Sequence, residues 1–231
     1  VNPSTHWLNQ RLVPALTALS GNTYLAAIRA GMVSVVPLTI IGGLFMVVAF
    51  LPVPGWEQIV EPYRSLLEIP VTATFGLLSV FVCFAIGYDL GKQFKQEAVV
   101  SASIATLVFL MLQLNLEDQS LKMDGLGSKG LFTAVIVALV AVRVQKFFTD
   151  QNLVIKLPRN VPAVVYESFL SLSPLVFLML AFWLVRFVLG VDIDQHVQTA
   201  FRPLVFALNT LPGILVYAFL VRSEERRVGK E

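Results

Sequence analysis

Few residues in this 231-residue chain have the type and placement to do chemistry, and most of them sit at odds with their surroundings. Glu167 is the one acid inside the apolar run from Val161 to Leu189. A carboxylate at the centre of a bilayer costs on the order of 2.5 kcal/mol or more, and less near the surface. Glu167 is therefore expected near the cytoplasmic interface, paired or protonated; pairing with Arg159 or Arg143, plain exposure at the interface, and a gating or substrate contact are the roles open to it. Asn209 lies inside the run from Pro203 to Val221, where a side-chain amide needs either an interhelical hydrogen bond or a ligand's hydroxyl. Asp192, Asp194 and His196 alternate in a way that could hold a divalent metal, and a membrane-embedded transferase using Asp192 and Asp194 is the rival such a site would support. Their place between two apolar runs suits an interfacial turn better. Gly125-Leu-Gly-Ser-Lys-Gly130 matches G-x-G-x-x-G, but no strand–helix–strand unit surrounds it, so it is not a dinucleotide fingerprint. Cys83, the single cysteine, excludes an intrachain disulfide and reads as a small core residue. No nucleophile–base pair, P-loop or zinc-spaced set is present, and no metal or cofactor is expected.

The elements that must position these residues are membrane helices. Hydrophobic residues make up 56% of the chain and charged ones 14%, and the charges gather between long apolar runs. From Ala30 to Trp56 no charge occurs, a length ample for a hydrocarbon layer of roughly 30 Å. Charge gaps place five more spans at Ile69 to Tyr88, Ala98 to Leu116, Leu131 to Phe148, Val161 to Leu189 and Pro203 to Val221. The expected fold class is thus an all-α polytopic membrane protein with six transmembrane helices. A β-barrel would alternate in polarity, and Ala134-Val-Ile-Val-Ala-Leu-Val-Ala141 does not. A net charge of +2 without a basic cluster outside the tail gives no argument for nucleic acid.

Residues 1–30 read as an interfacial amphipathic segment, with Leu8, Leu12, Leu16 and Leu19 at near-helical spacing and a kink at Pro14. The chain opens on Val1 rather than methionine, as a clipped start would. Loop charges orient the spans. With the N-terminus inside, the inner side receives Arg11, Arg29, Lys92, Lys95, Arg143, Lys146, Lys156 and Arg159 against three acids. The outer side carries the acidic excess, so both termini are expected to be cytoplasmic.

Within the first span, Pro37 should kink the helix, and Gly42 and Gly43 should admit a close neighbour. The segments Ile28-Arg-Ala-Gly31, Pro37-Leu-Thr-Ile-Ile-Gly-Gly43 and Leu51-Pro-Val-Pro-Gly-Trp56 together resemble the membrane permease subunit, enzyme IIC, of the sugar phosphotransferase system in its lactose/cellobiose branch. Arg29, Pro52, Pro54 and Gly55 belong to this motif. So do Pro162, Ser168 and Pro174 in the fifth span, and Pro212 and Gly213 in the sixth. Ala30 and Ala163 stand where the family pattern has an acid and a second proline.

The resemblance implies a multi-pass protein of the bacterial plasma membrane that takes an oligosaccharide of the oligo-β-glucoside, cellobiose or lactose kind. It also implies a homodimer contacting through the first five spans, and a cytoplasmic IIB partner that carries the phosphoryl transfer, leaving no catalytic residue here. Glu167 and Asn209 are then weak candidates for sugar contact. The permease domain is expected over 31–222. Residues 223–231 continue the abrupt change that starts at Arg222, with seven charges in the last ten residues, and read as a foreign tail. The family's Gly-Ile-His-Gly signature and later glutamate do not occur in it, so the chain as given is expected to stop before the sugar site and to carry no sugar by itself.

Overall fold

The structure, a computed structural model, describes residues 21–115, 120–153 and 163–208. Its helices are α1 (Thr23–Ser34), α2 (Val36–Ala49), α3 (Trp56–Val60), α4 (Arg64–Phe75), α5 (Leu78–Gln93), α6 (Ala98–Leu112), α7 (Met123–Leu126), α8 (Leu131–Asp150), α9 (Ala163–Trp183) and α10 (Ile193–Leu208). Short 3-10 turns at Glu61–Tyr63 and Ser128–Gly130 lead into α4 and α8, and α9 runs on into a π turn at Leu184–Val188. Among the described residues no strand forms; Leu114 and Leu121 make one isolated antiparallel bridge.

Local chemistry sets the ends of these elements. Asn22 caps α1, its side-chain oxygen accepting from the backbone of Tyr24 at 2.9 Å and Leu25 at 3.4 Å. Helix α1 runs through Arg29 without interruption, so the domain boundary drawn at residue 30 falls inside a helix. Pro37 has no N–H to give to the preceding turn, and the chain breaks at Val35 so that the proline falls in the first turn of α2. After α2, Val53-Pro-Gly-Trp56 closes with a bond from Trp56 N to Val53 O at 3.0 Å. Gly55, with φ of 82° and ψ of −10°, takes the position of a type II turn that favours glycine. The Trp56 indole then donates to the Val48 carbonyl at 2.8 Å and ties the turn to the end of α2.

Helix α5 is the centre of the bundle. It packs along α1, α6 and α8, while α2 packs along α4, and α9 and α10 lie against α8. The core is built from Val82, Cys83 and Ile86 of α5, Ala105, Val108, Phe109 and Leu112 of α6, and Ala134, Val137, Ala138 and Ala141 of α8. Small residues bring the axes close. A Cβ at Gly31 would lie 2.8 Å from the Ile86 backbone nitrogen, and one at Gly87 would lie 2.9 Å from Ala102 Cα. The α5 face that carries Gly87 and Gly91 is set in the same way against Ser101, Ala102 and Ala105.

The expected count of six spans needs correction. Among the described residues three helices are long and apolar enough to cross a membrane: Thr23–Ala49, Trp56–Gln93 and Ser128–Asp150. A fourth counts if Leu172–Val188 and Ile193–Pro203, bent by 83°, form one span. The third expected span stops at Leu112 because the chain turns at Gln113 and bonds back through Lys122 N to Gln113 O at 2.8 Å. Its 15 residues reach only about 22 Å, a length that serves a helix buried among α5, α8 and α9. The expected loop Gly190 to Arg202 is instead mostly helix α10, and Pro203 lies inside that helix rather than opening a span. Residues beyond Leu208 lie outside those described.

The two neighbouring glycines of α2 also separate. Gly42 is buried against the Thr74 hydroxyl and the Phe75 ring, whose nearer carbons would lie 2.9 and 3.0 Å from an added Cβ; at Gly43 nothing would lie within 4 Å. Close approach at Gly43 is therefore not what the fold uses. Gly42→Val is expected to lower the thermal midpoint of the detergent-solubilised protein, with an overpacking cost of about 1–3 kcal/mol. Gly43→Ala should leave it unchanged or raise stability by up to about 1 kcal/mol. Equal loss in both variants would contradict this packing.

Candidate functional site

The polar groups that the fold gathers lie at the bend between α9 and α10. The π turn Leu184–Val188 ends in bonds from Leu189 N to Leu184 O (3.0 Å) and Val191 N to Val185 O (3.2 Å). Gly190, at φ of 67°, then reverses the chain into α10. Arg186, only 4% exposed, projects from the π turn and donates to Asp192 at 2.7 Å. Lys122 approaches the same Asp192 oxygen at 3.7 Å from the connection after α6. The other Asp192 oxygen accepts from the Gln195 backbone N–H at 3.1 Å, so that Asp192 also caps α10.

Burial by itself would raise the Asp192 carboxyl, but the hydrogen bonds from Arg186 and the Gln195 N–H, with the charges of Arg186 and Lys122, outweigh it. The carboxyl is held below the ordinary carboxylate range. Because its folded value is depressed, the ion pair contributes stability above the ordinary carboxylate value and loses it as pH falls through the lowered one.

Asp194, in the first turn of α10, accepts from the Thr133 hydroxyl of α8 and from Gln198 Nε2 at 2.8 Å. His196 Nδ1 faces the Asp192 carbonyl at 2.7 Å. The reading of Asp192, Asp194 and His196 as an interfacial turn is corrected: they form the first turn of a 16-residue helix, its start fixed by the Asp192 cap. The transferase alternative also finds no support. Each carboxylate is engaged by Arg186 and Lys122 or by Thr133 and Gln198, and among the described residues no group of three His, Cys, Asp or Glu side chains could hold a metal.

The other candidates are scattered. Arg29 is exposed on α1 and Arg143 on α8, and neither has an ion-pair partner among the described residues. Pro174 is buried within α9. Glu167 and Ser168 lie on α9 in a part whose side chains are not described, and Arg159, Pro162, Asn209, Pro212 and Gly213 lie outside the described residues. The glycines from Gly125 to Gly130 form two short turns: Gly127 O accepts from the Ser79 hydroxyl, and Gly130 packs on the Gly125 carbonyl. Sequence reasoning missed the Arg186–Asp192 pair. Its signal was a lone arginine near the end of an apolar run, followed by a glycine and an acid six positions on.

Among the described residues, three helices long and apolar enough to cross a membrane define the class as a multi-pass membrane protein. The family model described as "Phosphotransferase system, EIIC" matches residues 29–223, and the chain belongs to that family. It is 32% identical over 200 residues to the cellobiose-specific EIIC component of Geobacillus stearothermophilus, covering 79% of this chain and 44% of that protein. It is 26% identical over 222 residues to the lactose-specific EIICB component of Lacticaseibacillus casei, covering 90% and 38%. Among solved structures it is similar to the transporter ChbC, the IIC component of an N,N'-diacetylchitobiose-specific phosphotransferase system. The TM-score is 0.82 at 26% identity, covering 91% of this chain and 54% of that one. The chain thus spans about half the length, or less, of these relatives. The resemblance to an enzyme IIC of the lactose/cellobiose branch, read from the sequence, agrees with them.

Asp192→Asn would leave Arg186 buried without its counter-charge. Breaking a fully buried pair costs about 3–5 kcal/mol. Asp192 is 31% exposed, and solvent screening brings the expected loss to on the order of 2 kcal/mol. That corresponds to a drop of roughly 5 °C in thermal midpoint. Replacing both partners, as Arg186→Met with Asp192→Leu, should recover at least half of it; a midpoint unmoved by Asp192→Asn would remove the pair from the account of the bend.

Proposed function

We propose that this chain is part of the sugar-translocating membrane subunit of a bacterial phosphotransferase system, taking a β-linked disaccharide or short oligosaccharide of the cellobiose or lactose class. The match of the EIIC family over residues 29–223 is the observation that carries this reading. The names of the relatives support the sugar class. The fused EIICB arrangement indicated by the name of the lactose-specific relative supports a cytoplasmic IIB partner, which performs the phosphoryl transfer. On this proposal residues 31–222 form the permease domain, and Arg29, Gly31, Pro37, Gly42, Pro54, Gly55 and Pro174 shape its scaffold. Glu167 and Asn209 are its candidates for sugar contact. The subunit works as a homodimer in the plasma membrane, joined through the early spans.

Both termini are assigned to the cytoplasm. In support, Tyr24, Phe94 and Lys146 meet at one end of the bundle, the Tyr24 and Phe94 rings 5.9 Å apart and the Lys146 ammonium 5.6 Å from the Phe94 ring. Arg29, Lys92, Lys95 and Arg143 belong to the same half of these helices, whereas Glu57, Glu61 and Glu68 lie toward the far end of the α2–α4 hairpin. That asymmetry is what positive-inside orientation expects.

In cells whose cellobiose and lactose entry depends on the protein containing this chain, uptake of labelled sugar should require phosphoenolpyruvate and the IIB partner. Undiminished uptake without either would overturn the assignment. A membrane-impermeant maleimide applied to intact cells should label Ser65→Cys and not Gln93→Cys, with buried Cys83 giving no background; the opposite pattern reverses the orientation.

A further inference from the structure

We draw no further inference here: the strongest candidate, the cavity between α10 and the start of α8, has Lys129 and Arg202 balanced by Asp124 and Asp194 beside it, and nothing in the structure shows what fills it.

Discussion

Close contact between α5 and its neighbours is the constraint on which the rest of the structure depends. In hydrocarbon there is no hydrophobic drive to bring two helices together, since lipid tails are as apolar as leucine. Association rests on dispersion and on backbones that can approach. At Gly31 against Ile86, and at Gly87 and Gly91 against Ala102 and Ser101, the glycine puts no side chain of its own between the axes. Each close pair brings many atoms to contact distance at once. The large aliphatic residues that remain exposed along α2 and α4, such as Ile40, Leu44, Val47 and Leu66, are what lipid would meet. They need no partner to be explained.

A second constraint follows from the first. A membrane helix can break only where the freed backbone groups find partners, and the breaks here supply them locally. At Val35 its carbonyl accepts from both Leu38 (3.0 Å) and Thr39 (3.2 Å). At the junction of α4 and α5, the turn containing Gly127 packs against Phe75 and Gly76, and the Ser79 hydroxyl donates to the Gly127 carbonyl. The connection from Gln113 to Gly130 is thus part of the packing at that junction. Gln113 itself is fully buried with its amide unbonded among the described residues, wedged against Gly125.

These two constraints explain what the sequence made legible. Charge gaps located the apolar parts of Thr23–Ala49, of the α4–α5 segment and of α8, because the part of a lipid-exposed span that lies in hydrocarbon excludes charge. They failed for α6, whose apolar run continues past the point where the chain turns: a buried helix excludes charge whether or not it spans. They failed again at α10, where Asp192, Asp194, His196 and Arg202 looked like a loop. An interfacial helix carries such residues on its polar face, and reading residues 193–208 at helical period would have shown it. Of the motif residues, Pro37 and Gly55 act through backbone geometry that their types already dictate. The difference between Gly42 and Gly43 is set by Thr74 and Phe75, more than thirty positions away, and no local pattern encodes it. The same holds for Arg186 and Asp192, whose pairing depends on a π turn that the sequence does not announce.

That π turn decides how α10 is held. A helix that ends near a bilayer surface leaves carbonyls unbonded, and widening its last turn lets Leu189 N and Val191 N reach back to Leu184 and Val185. The widened turn carries Arg186 into the bundle, where its charge requires an acid close by. Asp192 supplies it and, through the Gln195 N–H, also fixes the first turn of α10. Thr133 binds Asp194 and Phe132 stacks on Phe201, so the first and third turns of α10 are attached to the first turn of α8. The corner is therefore held from both sides, by charge at its apex and by packing along its second arm. The helix α8 that holds this arm is itself packed against α5 and α6. Packing is therefore continuous from the small-residue seam of α5 through α8 to α10.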